Sequence, residues 1–212
     1  YRDKQLLARR PTVLGNLPGL VNVPESRIKG AEFQLNAFPL RGLRVSVGGT
    51  YLSSKVTDSF INSTILGAVA DFEGDPFPYT PKYTFGLTGD YEYEFAGAGT
   101  LRLRADYGWR SKQYASPAQL AASDRVGLTP DQIAAGNKAL QDTAKIPSYG
   151  ILNARIAFEL ENPDLEFAVY ALNLTKKNYF TRLLALENTP FGLTSYTPGD
   201  PRTYGVSVTW RY

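Results

Sequence analysis

Cysteine and histidine are both absent from this 212-residue chain, and with them go thiol nucleophiles, imidazole general bases and the usual zinc and copper ligand sets. Any metal chemistry would fall to carboxylates alone. The lack of cysteine agrees with a protein that crosses an oxidising compartment without needing disulfides, though it does not require one. A long apolar run is missing too. The longest stretch free of charge, Pro11 to Pro24, is broken by Gly15, Pro18 and Gly19, so no segment supplies the ~20 apolar residues of a membrane helix. Strands escape that exclusion, because a barrel strand alternates lipid-facing with lumen-facing side chains and leaves average hydropathy ordinary. No basic block stands out either: 23 Lys and Arg are dispersed among 20 Asp and Glu, for a formal charge of +3, which argues against a nucleic-acid partner. Nothing near Tyr1 has the basic start and apolar middle of a signal peptide. The expectation is that processing or truncation has removed what precedes it.

What the chain does have is period-two alternation. From Tyr83 to Phe95, the residues Tyr83, Phe85, Leu87, Tyr91, Tyr93 and Phe95 fall on one face, with Thr84, Thr88, Asp90, Glu92 and Glu94 on the other. After Ala96-Gly97-Ala98-Gly99, the residues Leu101, Leu103, Ala105, Tyr107 and Trp109 alternate with Arg102, Arg104, Asp106, Gly108 and Arg110, which reads as a hairpin. Similar strands are expected at Arg27 to Phe38, Leu43 to Thr57, Leu152 to Leu160, Leu165 to Thr175 and Tyr204 to Tyr212, with the tail of another at Tyr1 to Ala8. That makes about eight. The strand from Leu165 is equally apolar on both faces, so its facing stays open.

Loop length sorts by end. Pro39 to Gly42, Ala96 to Gly99 and Glu161 to Asp164 are short, whereas Arg10 to Pro24, Ser59 to Pro81, Ala115 to Pro147 and Asn178 to Asp200 are long. Strict alternation of short and long is the mark of an antiparallel up-and-down transmembrane β-barrel, with tight periplasmic turns and long external loops. A Greek-key sandwich has no reason to sort loops this way. In the third long loop, Thr129-Pro130-Asp131-Gln132 predicts a capped helix. Slipping the strand from Leu101 by one residue would turn Arg102, Arg104 and Asp106 to lipid, at roughly 2–4 kcal/mol per basic residue near the midplane.

Three stretches, in order, resemble the C-terminal part of TonB-dependent receptors. They are Asn22-Val23-Pro24-Glu25-Ser26-Arg27-Ile28-Lys29-Gly30-Ala31-Glu32-Phe33, then Tyr170-Ala171-Leu172-Asn173-Leu174-Thr175-Lys176-Lys177-Asn178-Tyr179, then Pro198-Gly199-Asp200-Pro201-Arg202-Thr203-Tyr204-Gly205-Val206. In the second, Lys176 stands where the family more often has Asp. The resemblance implies that residues 1–212 are the C-terminal segment of a larger barrel of about 22 strands, with the plug domain and the TonB box outside this chain. It implies an outer-membrane receptor that takes up a scarce nutrient, a ferric siderophore foremost, or cobalamin or an oligosaccharide, with energy from TonB. The partners implied are outer-membrane lipid, TonB through the absent N-terminal region, the barrel-insertion machinery and a small-molecule ligand.

Tyr204, Val206, Val208, Trp210 and Tyr212 form an alternating face ending in an aromatic, which fits the family's assembly signal and equally a lipid-facing strand with an aromatic girdle. Glu92 and Glu94 are expected opposite Arg102 and Arg104 as an ion-pair ladder rather than a catalytic carboxylate pair. Phe77, Tyr79, Arg110, Tyr114, Arg182, Phe191 and Tyr196 lie in or beside external segments and are of types that stack on aromatic ligands or pair with anions; belt or loop packing is the plainer reading of each. No catalytic, cofactor or metal site is nominated, and the chain is not read as an enzyme. Asn62-Ser63-Thr64 and Asn173-Leu174-Thr175 are chance matches to a glycosylation pattern. Two alternatives share the alternation: a passive channel or small eight-stranded barrel, and a soluble all-β carbohydrate-binding module.

Overall fold

The alternating segments form strands, and a computed structural model of the chain describes residues 2–12, 15–63, 69–115, 126–186 and 193–211. In chain order the elements are β1 (Arg2–Thr12), β2 (Gly15–Leu40), β3 (Leu43–Val56), β4 (Ile61–Ser63), β5 (Val69–Asp71), β6 (Tyr83–Phe95), β7 (Gly99–Arg110), β8 (Gln113–Tyr114), α1 (Pro130–Ala144), β9 (Lys145–Ile146), β10 (Tyr149–Leu160), β11 (Leu165–Leu172), β12 (Phe180–Leu186), β13 (Leu193–Pro198) and β14 (Thr203–Trp210). Eight of them make one antiparallel sheet in the order β1-β2-β3-β6-β7-β10-β11-β14. Every neighbour in that order is also the next large strand in sequence, which is up-and-down topology. Strand number alone also fits a small self-closed barrel, but among the described residues β1 and β14 do not pair with each other.

Register gathers the apolar residues on one face. Leu35 lies opposite Val47, and Val47 opposite Leu87; Tyr91 lies opposite Leu103, and Leu103 opposite Ile156. Ile156 in turn faces Val169, and Val169 faces Val206. The same pairing resolves β11, whose facing the sequence left open. Phe167 and Val169 join the apolar face, while Glu166, Ala168 and Tyr170 share the other with Glu159, Ala157 and Arg155. On β3 the apolar face runs from Leu43 to Tyr51, about nine residues, which is what a tilted strand needs to cross a hydrocarbon layer. Its end is aromatic: the Tyr51 and Tyr83 rings are 5.4 Å apart, with Lys82 Nζ 5.7 and 5.6 Å from their centroids.

Two expectations need correction. The segment from Arg10 to Pro24 is not an irregular loop, because β1 and the first part of β2 pair from Arg2↔Glu25 to Thr12↔Gly15. Val21 and Val23 are good strand formers, and proline is tolerated in a ribbon that has a free edge. This ribbon stands beyond the apolar band, since the part of β2 that joins β3 begins only at Ser26. The charges Arg2, Asp3, Lys4, Arg9 and Arg10, which fit a lipid-spanning strand poorly, therefore fall on a strand that pairs outside the band. The second correction concerns β11, which stops at Leu172 rather than Thr175 because Asn173 (φ 49°) and Lys176 (φ 53°) leave the extended region.

The long connections have structure of their own. β4 pairs with β5, β8 with β9 and β12 with β13. The predicted helix is present as α1. The Thr129 hydroxyl accepts from the Gln132 N–H, and the Thr129 N–H donates to the Gln132 side chain, giving the reciprocal cap.

Candidate functional site

The polar face of the sheet carries a charge ladder near the short-turn end. Glu92 sits opposite Arg102 with an ion pair of 3.4 Å. Arg104 pairs with Asp90 at 3.3 Å rather than with Glu94, which lies opposite Thr100. Arg102 also reaches Glu159, and Arg155 reaches Glu166 at 2.6 Å. Beyond β14, Arg211 bonds Glu159 and Asp164. Each carboxylate in this ladder has a basic partner, so the ladder fixes register between five neighbouring strands. Asp106 accepts from the Asn153 side-chain amide at 2.8 Å and stands opposite Thr88.

At the long-loop end two small cores replace the ladder. Val23, Val56, Phe60 and Phe72 form one, with Val21 and Phe77 against it. Ala115, Leu140, Ala144, Ile146 and Leu183 form the other, with Tyr79 and Tyr114 against it. The second core joins three separate loops. The Tyr79 hydroxyl donates to the Leu183 carbonyl at 2.6 Å, and the Tyr79 N–H donates to the Tyr114 carbonyl at 2.8 Å.

The nominated ligand residues divide accordingly. Phe77, Tyr79 and Tyr114 are half-buried in these cores. Arg110 is exposed on the polar face, its guanidinium 5.3 Å from the Tyr149 ring, and Tyr149 stacks on Tyr179 at 4.5 Å. Arg182 and Tyr196 are exposed on the β12–β13 hairpin, where the Tyr196 ring lies 5.0 Å from Phe180. Phe191 lies outside the described residues, as does Tyr212. Three aromatics in this group were not nominated: Tyr149 and Phe180 carried no sequence signal beyond their residue type, and Tyr179 was seen only as the end of the second family-like stretch. Among the described residues no group of three or more acidic side chains is placed to hold a metal ion.

The second and third sequence motifs turn out to be one structure. Asn173 is buried, and its side-chain oxygen accepts from the Lys177 N–H at 2.8 Å while its amide donates to the carbonyls of Lys177 (2.9 Å) and Asp200 (3.1 Å). Its own N–H donates to the Asn153 side chain at 2.9 Å. From the other side, the Gly199 N–H donates to the Tyr179 carbonyl at 2.9 Å. A Cβ at Gly199 would meet the Tyr179 ring at about 2.0 Å, so a larger residue there would have to push that ring aside. The two motifs thus close the neck of the β12–β13 loop. They anchor that loop at its base.

The strand that follows, β14, presents Tyr204, Val206, Val208 and Trp210 on the apolar face opposite Ala171, Val169, Phe167 and Leu165. Val206 is 78% exposed, Val208 63% and Trp210 67%, values that only a lipid neighbour or a further protein surface makes favourable over an area this large.

A family model described as TonB dependent receptor-like, beta-barrel, matches residues 1–174. Among solved structures, the siderophore receptor PiuA from Acinetobacter baumannii is 20% identical, with a TM-score of 0.61 over 97% of this chain and 24% of that one. BauA, the ferric preacinetobactin receptor from the same organism, is 24% identical, with a TM-score of 0.57 over 97% of this chain and 25% of that one. The ferric yersiniabactin uptake receptor FyuA from Yersinia pestis is 15% identical, with a TM-score of 0.63 over 94% and 28%. The chain spans about a quarter of the length of these structures, and at such identities the likeness establishes the fold.

Proposed function

Because this chain belongs to the TonB dependent receptor-like β-barrel family, whose members are outer-membrane barrels, we propose that it forms part of the wall and external loops of a receptor for active nutrient uptake. The ligand is a ferric siderophore, with cobalamin or an oligosaccharide as the next candidates. The long-loop end faces the exterior, the short turns face the periplasm, and the charge ladder lines the lumen. Energy comes from TonB, acting through a region outside this chain. The chain does no bond-making. It holds the exposed groups Arg110, at the end of β7, and Arg182 and Tyr196, on the β12–β13 hairpin, at the end of the sheet stiffened by the two small cores, where an anionic or aromatic chelate would meet them.

The observation that carries this reading is the division of one sheet into an exposed apolar face and an ion-paired polar face, with structured loops at one end only. A soluble carbohydrate-binding module has no use for such an apolar face. The test is made in the parent organism. Iron starvation should induce the intact protein, and its deletion should abolish growth on one ferric chelate. Loss of TonB should stop uptake while leaving ligand binding intact. Uptake that persists without TonB would overturn active transport in favour of a passive pore, and an unchanged phenotype on every iron source would remove the siderophore.

A further inference from the structure

The polar face carries more arginine than its carboxylates match. In one row across four strands, Arg44 on β3 lies opposite Asp90 on β6, Asp90 opposite Arg104 on β7, and Arg104 opposite Arg155 on β10. Asp90 is the only carboxylate in that row, and its ion pair is with Arg104. Arg155 is held by Glu166 from β11. Arg44 is exposed and, among the described residues, has no acidic partner. Two guanidinium groups directly opposite each other repel, so the row holds a surplus of positive charge. It borders a hollow of about 480 Å³, completed by Gly42, Glu92 and Arg102.

Position gives the row its use. Arg104 stands six residues below Arg110 on the same face of β7, which is about 20 Å along the strand and, at a tilt of about 45°, about 14 Å of depth. Between the two levels the wall recedes. Gly48, Gly86 and Gly108 lie side by side on β3, β6 and β7, and a Cβ on Gly86 or Gly108 would have no atom within 4 Å. Below them come Ser46, Thr88, Asp106 and Asn153, with Asp106 accepting from the Asn153 amide. On these four strands an anion leaving Arg110 therefore meets no positive charge until it reaches Arg44, Arg104 and Arg155.

We infer that Arg44, Arg104 and Arg155 form a second anion-binding station, deep in the lumen, for a small polyanionic ligand such as a metal chelate bearing carboxylate or catecholate oxygens. Guanidinium forks pair with such oxygens two at a time, and Arg44 supplies the unclaimed fork. The inference rests on the transport reading and narrows it, because a neutral oligosaccharide would gain nothing from the row.

The experiment uses the intact receptor in planar lipid bilayers, its plug loosened by urea so that the lumen conducts, with citrate and its neutral triethyl ester as probes. Citrate should block the current in wild type. Arg44→Gln should need about tenfold more citrate for half block, the loss expected when a charge-assisted hydrogen bond is removed. Arg44→Lys should restore most of the block, and the ester should block none of the three proteins. Arg44 makes no ion pair, so the ladder survives its removal, and an unaltered heat-resistant band on gels shows that the barrel is intact. Equal citrate block in wild type and Arg44→Gln would overturn the station, as would block by the ester, since size rather than charge would then be read. In cells, Arg44→Gln should bind the receptor's own ferric chelate as tightly as wild type and take it up more slowly. Uptake at the wild-type rate would remove the station from the transit route, and a pore that opens in the variant without urea or TonB would overturn it in favour of a plug contact. Citrate block is read with no transported nutrient present, so failure of the station and failure of the transport reading are told apart.

Discussion

The lower and upper parts of the β2–β3 pair use the same two-residue period in opposite phase. Below Tyr51 the outward positions are Phe33, Leu35, Val45 and Val47; above it they are Lys29, Arg27, Ser53 and Lys55, while Leu52 and Val56 turn to the side where Phe60 and Phe72 pack. The switch falls at the same level on both strands, since Ala31 faces Tyr51 and Lys29 faces Ser53. Strand geometry does not change there; what changes is the solvent on each side. Inside the band the outside is oil and the inside is wet, and above it the outside is water and the loops make a dry interior. The pattern of polarity therefore records where the membrane ends.

The sharpest way to break this contrast is to put one charge on each side of the switch. Val47→Arg, at mid-band between Leu35 and Leu87, should destabilise the intact barrel by about 2–4 kcal/mol in reversible unfolding from lipid vesicles. Ser53→Arg, six residues along the same face, should cost roughly 0–1 kcal/mol. Equal costs at the two positions would remove the boundary. Next in size, Asn173→Ala removes bonds that tie Lys177 and Asp200 together. Leaving those groups buried and unpaired should cost about 1–3 kcal/mol, read as faster proteolysis within 178–200 while the lipid-facing strands resist.

How much of this was legible beforehand follows the same division. Within the band the environment on each face is uniform, so Tyr83, Phe85 and Leu87 against Thr84 and Thr88 disclosed both the strand and its facing. Glu92 met Arg102 as the pattern implied, but Arg104 found Asp90 because register to the residue depends on the Gly97 turn. Above the band, partners come from other loops. Nothing near Tyr79 announces Leu183, 104 residues away. Arg10 to Pro24 resembled a loop because its prolines outweighed a pairing visible only once β1 is placed beside β2. The Asn173 motif was recognised as a signature, yet its role in closing a loop neck required both halves in space.

Two smaller predictions sharpen the loop side of the comparison. Tyr79→Phe deletes the hydroxyl that joins two loops and should cost about 1 kcal/mol locally. Hydrogen exchange should speed up around Tyr79, Tyr114 and Leu183 with no change in β6 or β7. Thr129→Ala removes one arm of the reciprocal cap and should cost about 1 kcal/mol of helix stability, read as faster exchange in the first turn of α1.

The smallest expected effect is a pH response confined to one loop. Asp71 holds its carboxyl below the ordinary value of 3.8, chiefly through the Glu73 N–H, then the Ser59 hydroxyl and the Phe60 N–H. Because the folded value is lowered, the ionised carboxylate favours the folded loop. That contribution is fully present above the unfolded value and is lost as pH falls through the folded one. Acidification to below about 4 should therefore loosen the turn joining Ser59 and Phe60 to Glu73, seen as new proteolytic sites there in the intact receptor. Asp71→Asn should show the loosened state at neutral pH and no further response to acid. The band, which has no such dependence on that carboxylate, should remain protected in both, and loss of protection in β3 or β6 over the same range would show that loop and wall are not separate cooperative units.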